Sequence, residues 1–343
     1  MNTANTISSK SGIQPDASEK THMDQYDRNF AEDVKRGLLS EKKFLHSKYL
    51  YNHKGDKIFQ QIMAMEEYYP TRCEYQIFEQ NKAEMLEKFR GNAEKFDLIE
   101  FGAGDGMKTK VLLRHFWQEK ANFSYIPIDI SANIVRHLTE DLNNQMPGLR
   151  VQGICDDYFR AFGHLNEAEE HSQLRKVVLF LGANIGNFTH EESIAFLKQT
   201  ASYLNAGDRL MIGFDLKKDP QRILDAYFDK QGITRSFKMN LLDRINEELG
   251  GNFDTDAFKY FPFYDPMEGT IKSHLVSCKA QDVYIAAIDC DVHFDEWEAI
   301  YMEKSQKYSL KDIAQMAEDS GFRVLHNFFD SEHLFTDSLW TLR

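Results

Sequence analysis

The chain has 343 residues, 42% apolar and 28% charged, a balance that excludes an intrinsically disordered protein and leaves room for two compact units or one core with a large insertion. Its net charge of −13 argues against broad nucleic-acid binding, which needs a basic face, and no apolar run approaches the length of a membrane span. Four cysteines and 12 histidines are scattered without C-x-x-C, H-x-x-x-H or other metal-ligand spacing, so no metal is expected, and the cysteines read as reduced, mostly buried thiols of a cytoplasmic protein.

Residues 1–23 are polar, lack the apolar core of a secretion signal and read as a disordered tail. Residues 24–72 look largely helical. FDLIEF (96–101) predicts a strand that runs into the turn GAGDG (102–106), followed by a helix with Val111, Leu112, Leu113 and Phe116 on its buried side. YIPIDI (125–130), LRVQGIC (149–155), KVVLFLGAN (176–184) and DRLMIGFDL (208–216) predict four more strands. Between them Ser131 is placed to cap one helix, and Thr189 with Glu192 forms a capping box for another. Residues 218–307 break the alternation, beginning helical near Arg222 and ending in the alternating run 282–294. After 307 it resumes: Ser309 caps a helix, Gly321 ends it, and 324–329 and 334–342 read as closing strands. The pattern predicts an α/β fold: a doubly wound parallel sheet over 73–217 and 308–343, with a discontinuous α+β domain made from 24–72 and 218–307.

The turn Glu100-Phe-Gly-Ala-Gly-Asp-Gly106 sits where glycines let backbone approach a ligand, although a tight strand-to-helix turn needs no ligand. A dinucleotide dehydrogenase would carry a third glycine at the position of Met107, so that pattern fails. Asp129 ends the second strand, where a carboxylate can accept from both hydroxyls of a ribose; a helix cap is the rival reading. Asp157 and Tyr158 follow the third strand, where an adenine amine and ring could be met. Lys108 is either a partner for a ligand carboxylate or a solvated helix lysine. Three such features at three successive strand ends fit S-adenosylmethionine better than any one of them alone.

YNHKGDKIFQQIMAMEEYYPTRCE (51–74), IEFGAGDGMKT (99–109), PIDIS (127–131), LGANIGNFT (181–189), AYFDKQGIT (226–234), FKMNLLDRINEELGGNFD (237–254) and EKSQKY (303–308) follow in this order. Together they make residues 30–343 resemble the histidine-specific α-N-methyltransferase family, which forms trimethylhistidine for ergothioneine. The resemblance implies a Rossmann-like methyltransferase core that binds S-adenosyl-L-methionine through Gly102, Lys108, Asp129, Asp157, Tyr158 and Gly182. It implies that Tyr68, Asn187 and Tyr227 bind the amino acid, that Glu303 and Ser305 bind the imidazole, and that Tyr51 and Asn187 act at the reacting amine. Taken singly, Tyr68 and Tyr227 read as core aromatics, Asn187 as a turn residue and Glu303 as a solvated strand end. Ala103, Ala183, Asn184, Ser273 and Lys304 depart from the family pattern, and Ser273 stands where a methionine packs beside the substrate side chain. The partner is then a small amino acid, L-histidine, with neither nucleic acid nor membrane, and the chain is expected to act as a monomer. The same chemistry on another amino acid or amine, or a non-catalytic ligand-binding relative, are the alternatives.

Overall fold

The computed structural model describes residues 17–168, 171 and 173–343. The expected tail falls mostly outside these residues, and from Ala17 the chain is helical as far as Leu38. Among the described residues thirteen strands follow in order: β1 (Phe96–Phe101), β2 (Phe123–Asp129), β3 (Arg150–Val151), β4 (Ile154–Cys155), β5 (Arg175–Phe180), β6 (Arg209–Asp215), β7 (Phe258–Asp265), β8 (Thr270–Ser277), β9 (Gln281–Ile285), β10 (Cys290–Phe294), β11 (Ala299–Gln306), β12 (Phe322–Phe329) and β13 (Phe335–Leu342).

The chain divides into two compact units. The larger holds residues 56–236, 261–273 and 303–343. Its sheet has the order β12-β13-β6-β5-β1-β2-β3, with β4 also paired to β2. Neighbours from β6 to β3 are parallel, and β13 lies antiparallel between β6 and β12. β1 is buried along its whole length, as a strand covered on both faces should be. Its side chains alternate between two cores. Leu98 joins Ile77, Phe89, Leu112, Phe116 and Leu142 on one side. Ile99 and Phe101 join Phe162, Leu197, Ile313 and Trp340 on the other. Strand order reverses between β1 and β5, so the carboxyl ends of these strands flank a crevice of the kind where open α/β sheets bind ligands.

The predicted caps form. Ser131 accepts from the Ile134 N–H, and Thr189 and Ser309 each make a capping box. The strand expected over 149–155 is instead two short pieces, β3 and β4. Gly153 lies between them, under the helix Ala132–Gln145, where an added Cβ would stand 2.4 Å from Val135 Cγ1. The run 282–294 is a hairpin, β9 and β10, turned through residues 286–288 and the left-handed Asp289. Of the four cysteines, Cys73 is buried and Cys155 exposed, so burial of the thiols is less general than expected; all four are free thiols.

The smaller unit holds residues up to Gly55, 237–260 and 274–302. Phe253, Phe258 and Phe294 pack there at centroid distances of 5.4–5.9 Å. The Arg244 guanidinium lies over Phe30 and donates to the Tyr49 carbonyl at 2.9 Å. β7, β8 and β11 form a sheet whose strands are each divided between the units. The sequence pattern places the unit boundaries at 72/73, 217/218 and 307/308, and the compact units divide elsewhere. Residues 69–72 start the helix Tyr69–Arg90, whose Tyr69, Cys73 and Ile77 belong to the core of the large sheet. The whole helix lies in the larger unit, so a boundary at 72/73 cuts through an element that the fold keeps together. Among the described residues no helix is long and apolar enough to cross a membrane.

Candidate active site

Gly102, Gly104 and Gly106 have φ of 69, 55 and 64°, a left-handed path that side chains resist. An added Cβ at Gly102 would lie 2.9 Å from the Tyr158 hydroxyl, whereas at Gly104 it would meet nothing within 4 Å. The middle of the turn therefore offers bare backbone to open space. The Asp129 carboxylate ties the turn to the end of β2, accepting from the Gly104 N–H through Oδ2 at 3.3 Å and the Ser131 N–H through Oδ1 at 3.0 Å. Each oxygen keeps a lone pair for a further donor. Burial raises its pKa. Tyr158 stacks on Phe101 at 4.9 Å and 7°, and burial pushes its hydroxyl up to about 12. Asp157 Oδ1 caps the following helix through the Phe159 and Arg160 N–H groups. Gly102, Asp129 and Gly182 thus stand at the carboxyl ends of the neighbouring parallel strands β1, β2 and β5, with Asp157 and Tyr158 just after β4.

Lys108 is not a solvated lysine. Its ammonium pairs with Glu74, a carboxylate of zero exposure that also accepts the Gly182 N–H at 2.8 Å. Burial works against the charged lysine, but Glu74 outweighs it and raises the pKa. Gly213 makes room for this contact, since a Cβ there would stand 2.5 Å from Glu74 Oε1. Asp337 is buried beside the same carboxylate and has its pKa pushed well up, by burial first and then by Glu74. Sequence reasoning quoted Glu74 only as the end of a motif; its role depends on Gly182, far along the chain.

Glu100 lies beneath the glycine turn, accepting from Thr109 Oγ1 at 2.8 Å and Tyr125 Oη at 2.5 Å. Burial pushes its carboxyl up to about 7. A carboxyl whose folded pKa is raised favours the folded state while protonated and loses that advantage as pH rises. Stability contributed by Glu100 should therefore decline from its ordinary value of 4.5 through about 7. The stability of the wild type relative to Glu100→Gln, measured by urea unfolding, is expected to fall by about 3 kcal/mol between pH 4.5 and pH 8.

A second group of residues lies in the same unit. The rings of Tyr68 and Tyr227 meet edge to face at 6.3 Å, both half-buried. Burial, with Asp215 and Glu303 nearby, raises both phenol pKa values, so both hydroxyls keep their protons at neutral pH. Glu303 and Ser305 sit two residues apart on β11, hence on one face. Ser305 Oγ and Tyr227 Oη each accept from the Lys307 ammonium at 2.9 Å. Lys307 is fully buried and pairs with Asp215 at 2.7 Å. Asp215 also accepts from Lys218 and from Tyr69 Oη, the latter at 2.9 and 3.0 Å. Burial opposes the charge on Asp215, but Lys307 and Lys218 hold its pKa below the usual value.

The turn carrying Asn187 packs against β11: a Cβ on Gly186 would lie 2.8 Å from the Gln306 carbonyl oxygen and 3.4 Å from Ser305 Oγ. Asn187 ends this 3-10 turn with an exposed side chain. Lys304 lies on the other face of β11, near Glu191 and Glu192, and lines a separate cavity with His190, Gln306 and Asp312. Its departure from the family pattern therefore leaves the Glu303–Ser305 face unaltered. Ser273 is buried on β8. Tyr51 belongs to the smaller unit, where its ring packs edge-on against Phe237 at 5.4 Å. Asp215 and Lys307 lie inside the quoted segments 208–216 and 303–308, with Lys218 just beyond the first, yet sequence reasoning gave none of the three a role.

A family described as histidine-specific, SAM-dependent methyltransferase matches residues 30–342. A histidine N-alpha-methyltransferase of Mycolicibacterium smegmatis is 33% identical, covering 87% of this chain and 90% of that protein. Ergothioneine biosynthesis protein 1 of Schizosaccharomyces pombe is 28% identical over 83% of this chain and 37% of its own length. A 4-dimethylallyltryptophan N-methyltransferase of Claviceps purpurea is 24% identical over 84% of this chain and 88% of its own.

Proposed function

The chain belongs to the histidine-specific, SAM-dependent methyltransferase family, and on that premise we propose that it methylates the α-amine of L-histidine three times to give trimethylhistidine (hercynine). It is an S-adenosylmethionine-dependent N-methyltransferase. The residues around the glycine turn suit that cofactor: backbone bare at Gly104, lone pairs left on Asp129 for vicinal hydroxyls, and an aromatic ring at Tyr158. When bound, S-adenosylmethionine supplies an electrophilic methyl group on a sulfonium. Gly102, Lys108, Asp129, Asp157, Tyr158 and Gly182 are proposed to hold it.

The observation that carries the choice of acceptor is the pairing on β11 of a carboxylate, Glu303, with a hydroxyl, Ser305. A neutral imidazole has one N–H to give and one bare nitrogen to receive, and this pair answers both. An indole has an N–H for Glu303 but no acceptor for Ser305, which favours histidine over a tryptophan-like acceptor. The protonated phenols of Tyr68 and Tyr227 and the amide of Asn187 are neutral groups proposed to fix the amino acid by its carboxylate and amine. Holding the neutral amine in line with the methyl group supplies the rate by positioning. Tyr51 and Asn187 keep the catalytic roles that the family resemblance gives them, Tyr51 as acceptor or relay for the amine proton.

Incubation of histidine with isotope-labelled S-adenosylmethionine, followed by mass spectrometry over time, tests the reading. Successive gain of one, two and three methyl groups, all on the α-nitrogen, is expected. Methylation of a ring nitrogen, or arrest after one methyl, contradicts it.

A further inference from the structure

Lys307 has no exposure, yet its ammonium is fully used. Its three N–H groups answer three acceptors: Asp215 Oδ2 at 2.7 Å, Tyr227 Oη at 2.9 Å and Ser305 Oγ at 2.9 Å. Asp215 answers one of these N–H groups and is shared with Lys218 and Tyr69, so the other two fall to the hydroxyls of Tyr227 and Ser305. Asp215, Lys218 and Lys307 together carry one surplus positive charge, which Glu303, acting on the same Tyr227 hydroxyl, offsets.

An ammonium can donate and cannot accept. Each hydroxyl that accepts from it cannot point its own proton back at the ammonium and must donate in another direction. We propose that Lys307 is a positioning residue for the amino-acid substrate, fixing the Tyr227 and Ser305 hydroxyls as donors to the ligand's carboxylate and to the bare ring nitrogen. This rests on the function proposed above. It implies that the ring is bound neutral, with its single N–H directed to Glu303. An imidazolium has no bare nitrogen for Ser305, so binding weakens as the free ring protonates below about pH 6.5.

Lys307→Met is the direct test. Asp215 keeps Lys218 and Tyr69 in this variant, so the buried pair stays balanced. Calorimetric affinities are measured for S-adenosylhomocysteine and, with that product bound, for whichever amino acid the wild type methylates. A wrong acceptor therefore overturns the proposed function without affecting this comparison. Lys307→Met is expected to weaken amino-acid binding about 30-fold and S-adenosylhomocysteine binding less than about 3-fold. In a Tyr227→Phe/Ser305→Ala background the same substitution should add less than about 3-fold, because its targets are gone. Unchanged amino-acid affinity, equal loss of both ligands, or a full extra loss in the double-variant background overturns the proposal. Should Lys307→Met not fold, the wild type answers with nitrogen-15-labelled histidine. Resonances of one protonated and one bare ring nitrogen in the complex support the proposal, and those of an imidazolium overturn it.

Discussion

Replacing Glu303 by alanine is expected to raise the KM for histidine about 30-fold while moving the KM for S-adenosylmethionine less than about 3-fold. The carboxylate stands on β11 one side-chain repeat from Ser305, in the unit that also holds Tyr68 and Tyr227. On the proposed reading its partner is a ring N–H that no apolar side chain can satisfy. A donor stripped of its acceptor costs about 1–3 kcal/mol, which is where the expected factor comes from. The ring lies away from the reacting amine, so most of the loss belongs in KM, and kcat at saturating histidine should retain most of its value. Steady-state kinetics with each substrate varied in turn reads the two effects apart. Equal loss toward both substrates would put the pocket elsewhere.

The second large effect concerns stability. Asp215→Asn leaves the Lys307 and Lys218 ammonium groups, with 0 and 7% side-chain exposure, facing a neutral amide. Breaking a buried pair by removing one partner costs about 3–5 kcal/mol, because the remaining charge has lost both water and counter-ion. Urea unfolding at neutral pH should show a loss of that size. The sign with pH follows from the lowered pKa of Asp215: its contribution is present above 3.8, the ordinary value, and is lost only as pH falls through the folded value. The gap between wild type and variant should therefore hold across neutral and mildly acid pH. A difference below about 1 kcal/mol at neutral pH would mean that the lysines have found other partners.

Much of this arrangement can be read from local sequence. Ser131, Thr189 and Ser309 cap helices where the spacing placed them, because a cap depends only on residues within a turn of one another. The strands lining the crevice were legible for the same reason, being apolar runs that end in Gly102 and Asp129. The break between β3 and β4 was not read, although Gly153 stands in the run; the reason only glycine fits there, the close approach of Val135 and Thr139, lies in another element. Nor was the polar scaffold. Glu74 meets Lys108 and Gly182, and Asp215 meets Tyr69 and Lys307, across separations that no motif spans. Such residues show themselves only when a fold removes water from them and burial demands a partner. Motif reading named the groups proposed to touch ligands, and the structure adds buried partners for some of them, Glu74 for Lys108 and Lys307 for Tyr227 and Ser305.

A competition among amino acids decides the choice of acceptor. The enzyme is given labelled S-adenosylmethionine and an equimolar mixture of the common protein amino acids, and the products are separated and located by mass. The label is expected to collect on the α-nitrogen of histidine and on no other amino acid. Label on tryptophan or another amino acid in preference to histidine would contradict it.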